Sequence, residues 1–287
     1  MSGAPFRARP FGRFELRHFG ELDSTNRYLL DEARAGAPAG LVVVADHQTA
    51  GRGRLDRRWE APAGTNLLAS VLLRPSLAPE ELHLCTVAMA LAARAAVAEV
   101  GGIEPVLKWP NDVMVGERKL AGILAEAVPG AVVVGIGVNV AWPPPDGEPG
   151  ADQVPAELGH ASSLWREARG PGHRVGPDPG GRPDPGVLLE VLLGVLEPRL
   201  DDLAGPDGRR RLAADYRRAC ATLGRAVTVS LPGGEAVTGT ALEITAEGHL
   251  LVDLGPGVRT IAAGDVVHLR SPSSTGANGD PVYDGSP

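Results

Sequence analysis

The chain has 287 residues, 43% of them hydrophobic and 22% charged, enough for one large globular core or a large domain beside a small one. Twenty-eight basic against thirty-five acidic residues give a formal charge of −7, which argues against a general nucleic-acid binder. No stretch approaches the roughly 20 apolar residues that a membrane helix needs, and the first ten residues lack the apolar run of a secretory signal.

Residues 1–13 read as a flexible arm. Alternation over 14–19 predicts a strand, and Asp23-Ser24-Thr25 supplies N-cap chemistry for a helix running to about residue 36. Apolar runs predict strands over 41–45 and 66–73. Leu82, Cys85, Met89, Ala92 and Ala96 recur at helical spacing, so a long helix is expected over 79–100, closed by Gly101-Gly102. Cys85 lies on that stripe. It and Cys220, the other cysteine, are expected as buried, reduced thiols of a cytoplasmic protein. Three strand-like pieces follow at 106–109, 119–128 and 131–140, the last two joined through Pro129-Gly130 as a hairpin. Hairpins pair antiparallel, which argues against a doubly wound parallel sheet.

Nineteen of the forty-four residues over 143–186 are Pro or Gly, so this stretch reads as a mobile insertion holding one short segment at 161–167. Helices are expected over 187–203 and 206–223. From 225 to 270, short strands broken by Pro232-Gly233-Gly234, Glu247-Gly248 and Gly255-Pro256-Gly257 suit a small SH3-like β-barrel. Residues 271–287 read as a disordered tail. The expected class is α+β: a mixed, largely antiparallel sheet with flanking helices over 14–223, and a barrel over 224–270.

Two strings carry chemistry. Gly51-Arg52-Gly53-Arg54, followed by Arg57, Arg58 and Trp59, sets bare backbone beside permanent positive charge, which suits phosphate or carboxylate oxygens. Four arginines in seven residues repel one another, so the loop is expected to order on an anionic ligand. A solvated Arg-Gly turn uses the same residues. Lys108-Trp109-Pro110-Asn111-Asp112 supplies an ammonium, a carboxamide and a carboxylate, and Asp112 suits Mg²⁺. A strand end with a Pro-Asn-Asp turn has the same composition. Lys119 starts an apolar strand, either as a solvated charge or as a cation facing an acyl or phosphoryl oxygen. There is no Walker loop, no metal-ligand spacing among the seven histidines and no Ser-His-Asp arrangement.

In order, Asp23-Ser24-Thr25-Asn26, the string from Gln48 to Arg54 with Arg57 and Trp59, Lys108 to Asp112, Lys119 to Leu124, and Gly135-Ile136-Gly137-Val138-Asn139 resemble the catalytic core of biotin–protein ligases over residues 14–270. The resemblance implies that ATP and Mg²⁺ convert biotin to biotinyl-5'-AMP. Biotin then passes to one lysine of a biotin carboxyl carrier domain of a biotin-dependent carboxylase. It implies that Ser24, Thr25 and Gln48 contact the ureido ring, and that Gly51, Arg52, Gly53 and Arg54 form the loop closing over the adenylate, with Arg54 retaining it. Lys119 is similar to the lysine between biotin carboxylate and α-phosphate. Asn111 and Asn139 resemble adenine contacts, Asp112 the metal-side carboxylate, and Arg52, Arg57, Trp59 and Lys108 the rest of the nucleotide site. Monomers and homodimers both occur in such a family. The core starts too early for a preceding DNA-binding module, so a ligase without DNA binding is expected. Asp56 stands where the family has glycine, either pairing with Arg57 or Arg58 or weakening loop closure.

Three rival readings remain: a lipoate–protein ligase, a non-catalytic biotin or nucleotide sensor, and an RNA-binding module. The net charge and the lack of an aromatic stacking motif speak against the last.

Overall fold

The computed structural model describes residues 7–55, 57–155, 160–168 and 182–269; the expected tail over 271–287 and Asp56 lie outside them. An eight-stranded sheet forms the large domain, in the order β1 (Arg7–Phe11), β2 (Phe14–Leu22), β3 (Leu41–Gln48), β4 (Leu67–Leu73), β8 (Ala131–Val138), β7 (Arg118–Val128), β6 (Asp112–Val115) and β5 (Val106–Lys108). Only β2 and β3 pair parallel within it. A parallel pair needs a crossover, and helix α1 (Thr25–Arg34) provides it.

All seven residues of β4 are buried, because both faces of the sheet are covered. On one face α1 packs Leu29, Leu30 and Ala33 against Phe19, Val43 and Leu72. On the other lie α2 (His83–Gly101), α4 (Pro185–Asp202) and α5 (Pro206–Ala219). Gly102 ends α2 in the left-handed region at φ 60°, the conformation that a glycine C-cap takes without Cβ strain. The segment Pro79–Gly101 is, against expectation, long and apolar enough by composition to cross a membrane; here its apolar residues are mostly buried in the core.

Five further antiparallel strands, in the order β12 (Val258–Ile261), β11 (Leu250–Asp253), β10 (Ala236–Ile244), β9 (Ala226–Ser230) and β13 (Asp265–His268), form the expected small C-terminal sheet. Its core residues Val227, Val229 and Val266 belong to the same apolar cluster as Leu107 and Trp109 of the large domain. Cys85 and Cys220 are buried free thiols as expected, and burial pushes Cys85 up to about 12.

Three local expectations change. Residues 7–11 are an edge strand paired to β2, not part of a loose arm. Strand β6 is additional: the chain reverses at Trp109-Pro110-Asn111 and returns against β5, a turn too tight to leave a periodic signal. Within the presumed insertion, residues 160–168 join the core. Lys119 N–H donates to His160 O, Ser162 N–H donates to Lys119 O, and the short helix α3 (Leu164–Glu167) buries Leu164 and Trp165.

Candidate active site

A cavity of about 820 Å³ opens between the Gly-Arg loop after β3, the β5–β6 hairpin, the floor made by β7 and β8, and strand β13 of the barrel. Of the fourteen residues given a site role from the sequence, thirteen line it: Ser24, Thr25, Gln48, Arg52, Gly53, Arg54, Arg57, Trp59, Lys108, Asn111, Asp112, Lys119 and Asn139. Gly51 does not. It is buried behind the wall, where a Cβ would stand 2.4 Å from Trp59 O, and its bare backbone lets Trp59 N–H reach Gly51 O at 3.0 Å.

At one end the start of α1 meets β3 and β4. Ser24 caps the helix, its Oγ accepting from Arg27 N–H. Thr25 N–H donates to Gln48 Oε1 at 2.8 Å, and the Thr25 hydroxyl lies 3.1 Å from the same oxygen. Behind them Ser70 Oγ sits 2.7 Å from both Thr25 Oγ1 and Asn26 Oδ1. Asn26 Nδ2 donates to Leu124 O at 3.1 Å and to Glu126 Oε2 at 2.8 Å. The Asn26 amide fits because β8 carries glycine opposite it: a Cβ on Gly135 would stand 2.1 Å from Asn26 Oδ1.

Trp59 lies over the middle of the floor, where Gly122 and Gly137 leave room for its indole, and its buried Nε1 has no hydrogen-bond partner among the described residues. Lys119 Nζ stands 5.8 Å from the Trp59 ring centre, near the range of a cation–π contact, and 2.6 Å from Asp112 Oδ1. That ion pair is close but poorly aligned, so Asp112 Oδ1, though buried, receives no proper hydrogen bond.

Three of the four loop arginines have hydrogen-bond acceptors from the chain itself, and Arg58 has a looser ion pair with Glu60 at 3.6 Å. Arg52 Nη2 reaches both oxygens of Glu126 at 2.9 Å. Arg54 Nη1 donates to Gly264 O at 3.2 Å and more weakly to Asn111 Oδ1 at 3.4 Å. Arg57 Nη2 pairs with Asp265 Oδ2 at 2.5 Å. These acceptors offset the mutual repulsion that the sequence reading reserved for a ligand to relieve. Burial lowers the pKa of Arg54, while the nearby Asp112 and Asp265 charges raise it.

Both asparagines use their amides to hold walls. Asn111 Nδ2 donates to Ile123 O at 2.6 Å; Asn139 Nδ2 donates to Ser162 O at 2.9 Å, and its Oδ1 accepts from Asn66 at 3.0 Å. Trp109 turns away from the cavity into the junction with the barrel. Its backbone N–H donates to Thr222 Oγ1 at 3.0 Å and its Nε1 to Gly248 O at 2.9 Å. Lys108 lines the cavity near His268, whose proton affinity falls mainly through burial and then through Arg225 and Lys108.

Sequence reasoning assigned no role to Asn26, Ser70, Glu126, Asp265 or His268, nor to the cover given by residues 160–162. Ser70 and Glu126 are polar residues within otherwise apolar runs, and that signal was available, whereas Asn26 follows the polar Asp23-Ser24-Thr25 and stands out by composition in no way. Among the described residues no group of three or more His, Cys, Asp or Glu is placed to hold a metal, so Asp112 stands as a single carboxylate.

Two family models match the chain: the biotin/lipoate A/B protein ligase family over residues 19–141 and the biotin protein ligase C-terminal domain over residues 222–269. A biotin--[acetyl-CoA-carboxylase] ligase of Mycobacterium tuberculosis is 38% identical over 255 residues, covering 87% of each chain. The bifunctional ligase/repressor BirA of Bacillus subtilis is 31% identical over 252 residues, 85% of this chain and 71% of that one. Among solved structures, the biotin protein ligase from Aquifex aeolicus in complex with biotin and ATP superimposes with a TM-score of 0.68 at 28% identity. It covers 89% of this chain and 99% of that one.

Proposed function

Since the chain belongs to the biotin protein ligase family, we propose that it joins biotin's carboxylate to the α-phosphate of ATP, releasing pyrophosphate, and passes biotin from biotinyl-5'-AMP to a lysine of a biotin carboxyl carrier domain. One observation carries the reading: a single cavity joins a small hydrogen-bonding pocket at Thr25 and Gln48 to a trough lined by Lys119, Arg52, Arg54, Arg57 and Lys108.

In this reading Ser24, Thr25 and Gln48 hold the ureido ring. The carboxylate then points toward Lys119. Two anions must meet, and Lys119 offsets the charge that builds on the oxygens between them as the acyl–phosphate bond forms and pyrophosphate leaves. Lys108, Arg52 and Arg57 take the phosphates. Trp59 offers a flat apolar face for the nucleoside, with Asn111 and Asn139 at its edge. No covalent enzyme intermediate is required, in keeping with the lack of a nucleophile motif. Arg54, on the loop and bonded to Gly264 O, retains the mixed anhydride and helps to keep water away. The carrier lysine then attacks the acyl carbon as a neutral amine, and AMP leaves.

Asp112 is the residue that would hold Mg²⁺. A lone carboxylate with a buried, poorly bonded oxygen suits an ion that takes one or two carboxylates and otherwise phosphate oxygens and water. Bound with ATP, the ion neutralises phosphate charge.

The test is mass-spectrometric detection of acyl-AMP after mixing the protein with Mg-ATP and either biotin or lipoate. Biotinyl-AMP alone is expected. Lipoyl-AMP would transfer the chain to the lipoate branch of the same superfamily. Neither product, with biotin still bound, would leave a sensor.

A further inference from the structure

Resting on the biotin reading above, we propose that Glu126 is a positioning and specificity-determining residue, which fixes Thr25 Oγ1 as a hydrogen-bond acceptor for a ring N–H of the ligand.

A carboxylate only accepts hydrogen bonds. Glu126 Oε2 at 2.8 Å and Leu124 O at 3.1 Å therefore require that Asn26 turn its NH₂ toward them. That orientation leaves Asn26 Oδ1 facing Ser70 Oγ at 2.7 Å, and an amide oxygen also only accepts. Ser70 has one proton, and Asn26 takes it. The other short contact of Ser70, 2.7 Å to Thr25 Oγ1, then draws the Thr25 proton in preference to Gln48 Oε1, which lies farther off at 3.1 Å.

The relay thus runs from Thr25 through Ser70 and Asn26 to Glu126, each hydroxyl or amide donating toward the carboxylate. Thr25 Oγ1 keeps only lone pairs for the cavity. Gln48 Oε1, already taking the Thr25 amide proton, is a second acceptor beside it. A wall of acceptors selects a ring that brings N–H donors. A cyclic urea brings two; a dithiolane brings none. Asn26 and Ser70 are buried, so a wrongly oriented proton there would leave an unpaired polar atom away from water. Glu126 also receives Arg52, so one carboxylate serves both the ring pocket and the loop.

The experiment is calorimetric binding of biotin, and of its two analogues singly methylated at either ureido nitrogen, to the full chain. The wild type is expected to prefer biotin strongly over at least one analogue. For that analogue, Glu126→Ala leaves the Asn26 amide only its longer bond to Leu124 O and should shrink the preference by about two- to tenfold, the worth of one neutral hydrogen bond. Glu126→Gln keeps a carbonyl oxygen for Asn26 and should restore the preference. Ser70→Ala breaks the relay with almost no change in volume, should repeat the loss, and serves if Glu126→Ala does not fold. Equal weakening of all three ligands, with the preference intact in Glu126→Ala and Ser70→Ala, would reduce Glu126 to a prop and overturn the proposal. A wild type that binds none of them would overturn the biotin reading itself.

Discussion

Arg57 Nη2 lies 2.5 Å from Asp265 Oδ2, so the Gly-Arg loop of the large domain is tied to the first residue of β13 in the barrel. Arg57 is the more exposed partner, at 62% against 26%, and pairs of this kind contribute about 0.2–1 kcal/mol. In the proposed reaction Asp265 competes with a phosphate for the same guanidinium. Asp265→Asn should therefore lower KM for ATP by about 1.5- to 5-fold with little change in Tm. A rise in KM would mean that Asp265 positions Arg57 instead of competing for it.

Lys119→Ala removes the cation nearest the proposed acyl–phosphate junction and deprives Asp112 of its ion-pair partner. The rate of pyrophosphate release should fall by about 10²- to 10³-fold, as for loss of a donor aimed at developing charge. An unchanged rate in a quenched-flow assay would remove Lys119 from the reaction.

Arg54→Gly should leave adenylate synthesis partly intact while biotinyl-AMP leaves the protein about 10- to 100-fold faster, the worth of a charge-assisted contact. Trapping of released radiolabelled adenylate measures both. Parallel loss of synthesis and retention would count against a retaining role.

Gly137→Ala places a Cβ 2.5 Å from Trp59 Cε2, so the indole would have to shift. Overpacking of this kind costs about 1–3 kcal/mol. A lower Tm together with weaker ATP binding is expected. A variant matching the wild type in both would show that the indole does not depend on that glycine.

Two histidines make the barrel junction sensitive to acid. Burial lowers the proton affinity of His83, beside Gly248, and of His268, 3.1 Å from Thr222 Oγ1. Both pKa values fall below their ordinary 6.5 in the fold, so the unfolded chain binds more protons once the pH drops toward and below that value. Stability contributed by the neutral imidazoles is present above about pH 6.5 and declines on acidification. Tm should fall between about pH 7.5 and about 5.5, and His83→Gln with His268→Gln should flatten that fall. An identical slope in the double variant would place the acid sensitivity elsewhere.

Much of the candidate site was legible because its residues come in short strings. Ser24-Thr25, the Gly-Arg run and Lys108 to Asp112 each sit at the end of an element whose periodicity is local, so naming the string also located it near a strand or helix end. The parts that escaped are pairings across long stretches of chain. Asn26 and Glu126 are 100 residues apart, and Arg57 and Asp265 are 208 apart. Each alone reads as an ordinary polar residue. Trp109 was quoted within its string, yet only packing shows that it wedges the junction while its neighbours face the cavity. The short segment at 161–167 was legible amid the Pro and Gly around it, but its docking was not, because composition says nothing of the two backbone hydrogen bonds to Lys119.

By itself the sequence determined most of the elements, though not β1 or β6, together with the antiparallel character of the sheet, the barrel after it and the chemical inventory of the cavity, since propensity, periodicity and side-chain chemistry are local properties. Tertiary structure alone decided which carboxylate meets which cation and why Gly135 and Gly137 must lack side chains. Those depend on distances between segments that the chain brings together only when the sheet closes its two faces and the barrel seats on Trp109.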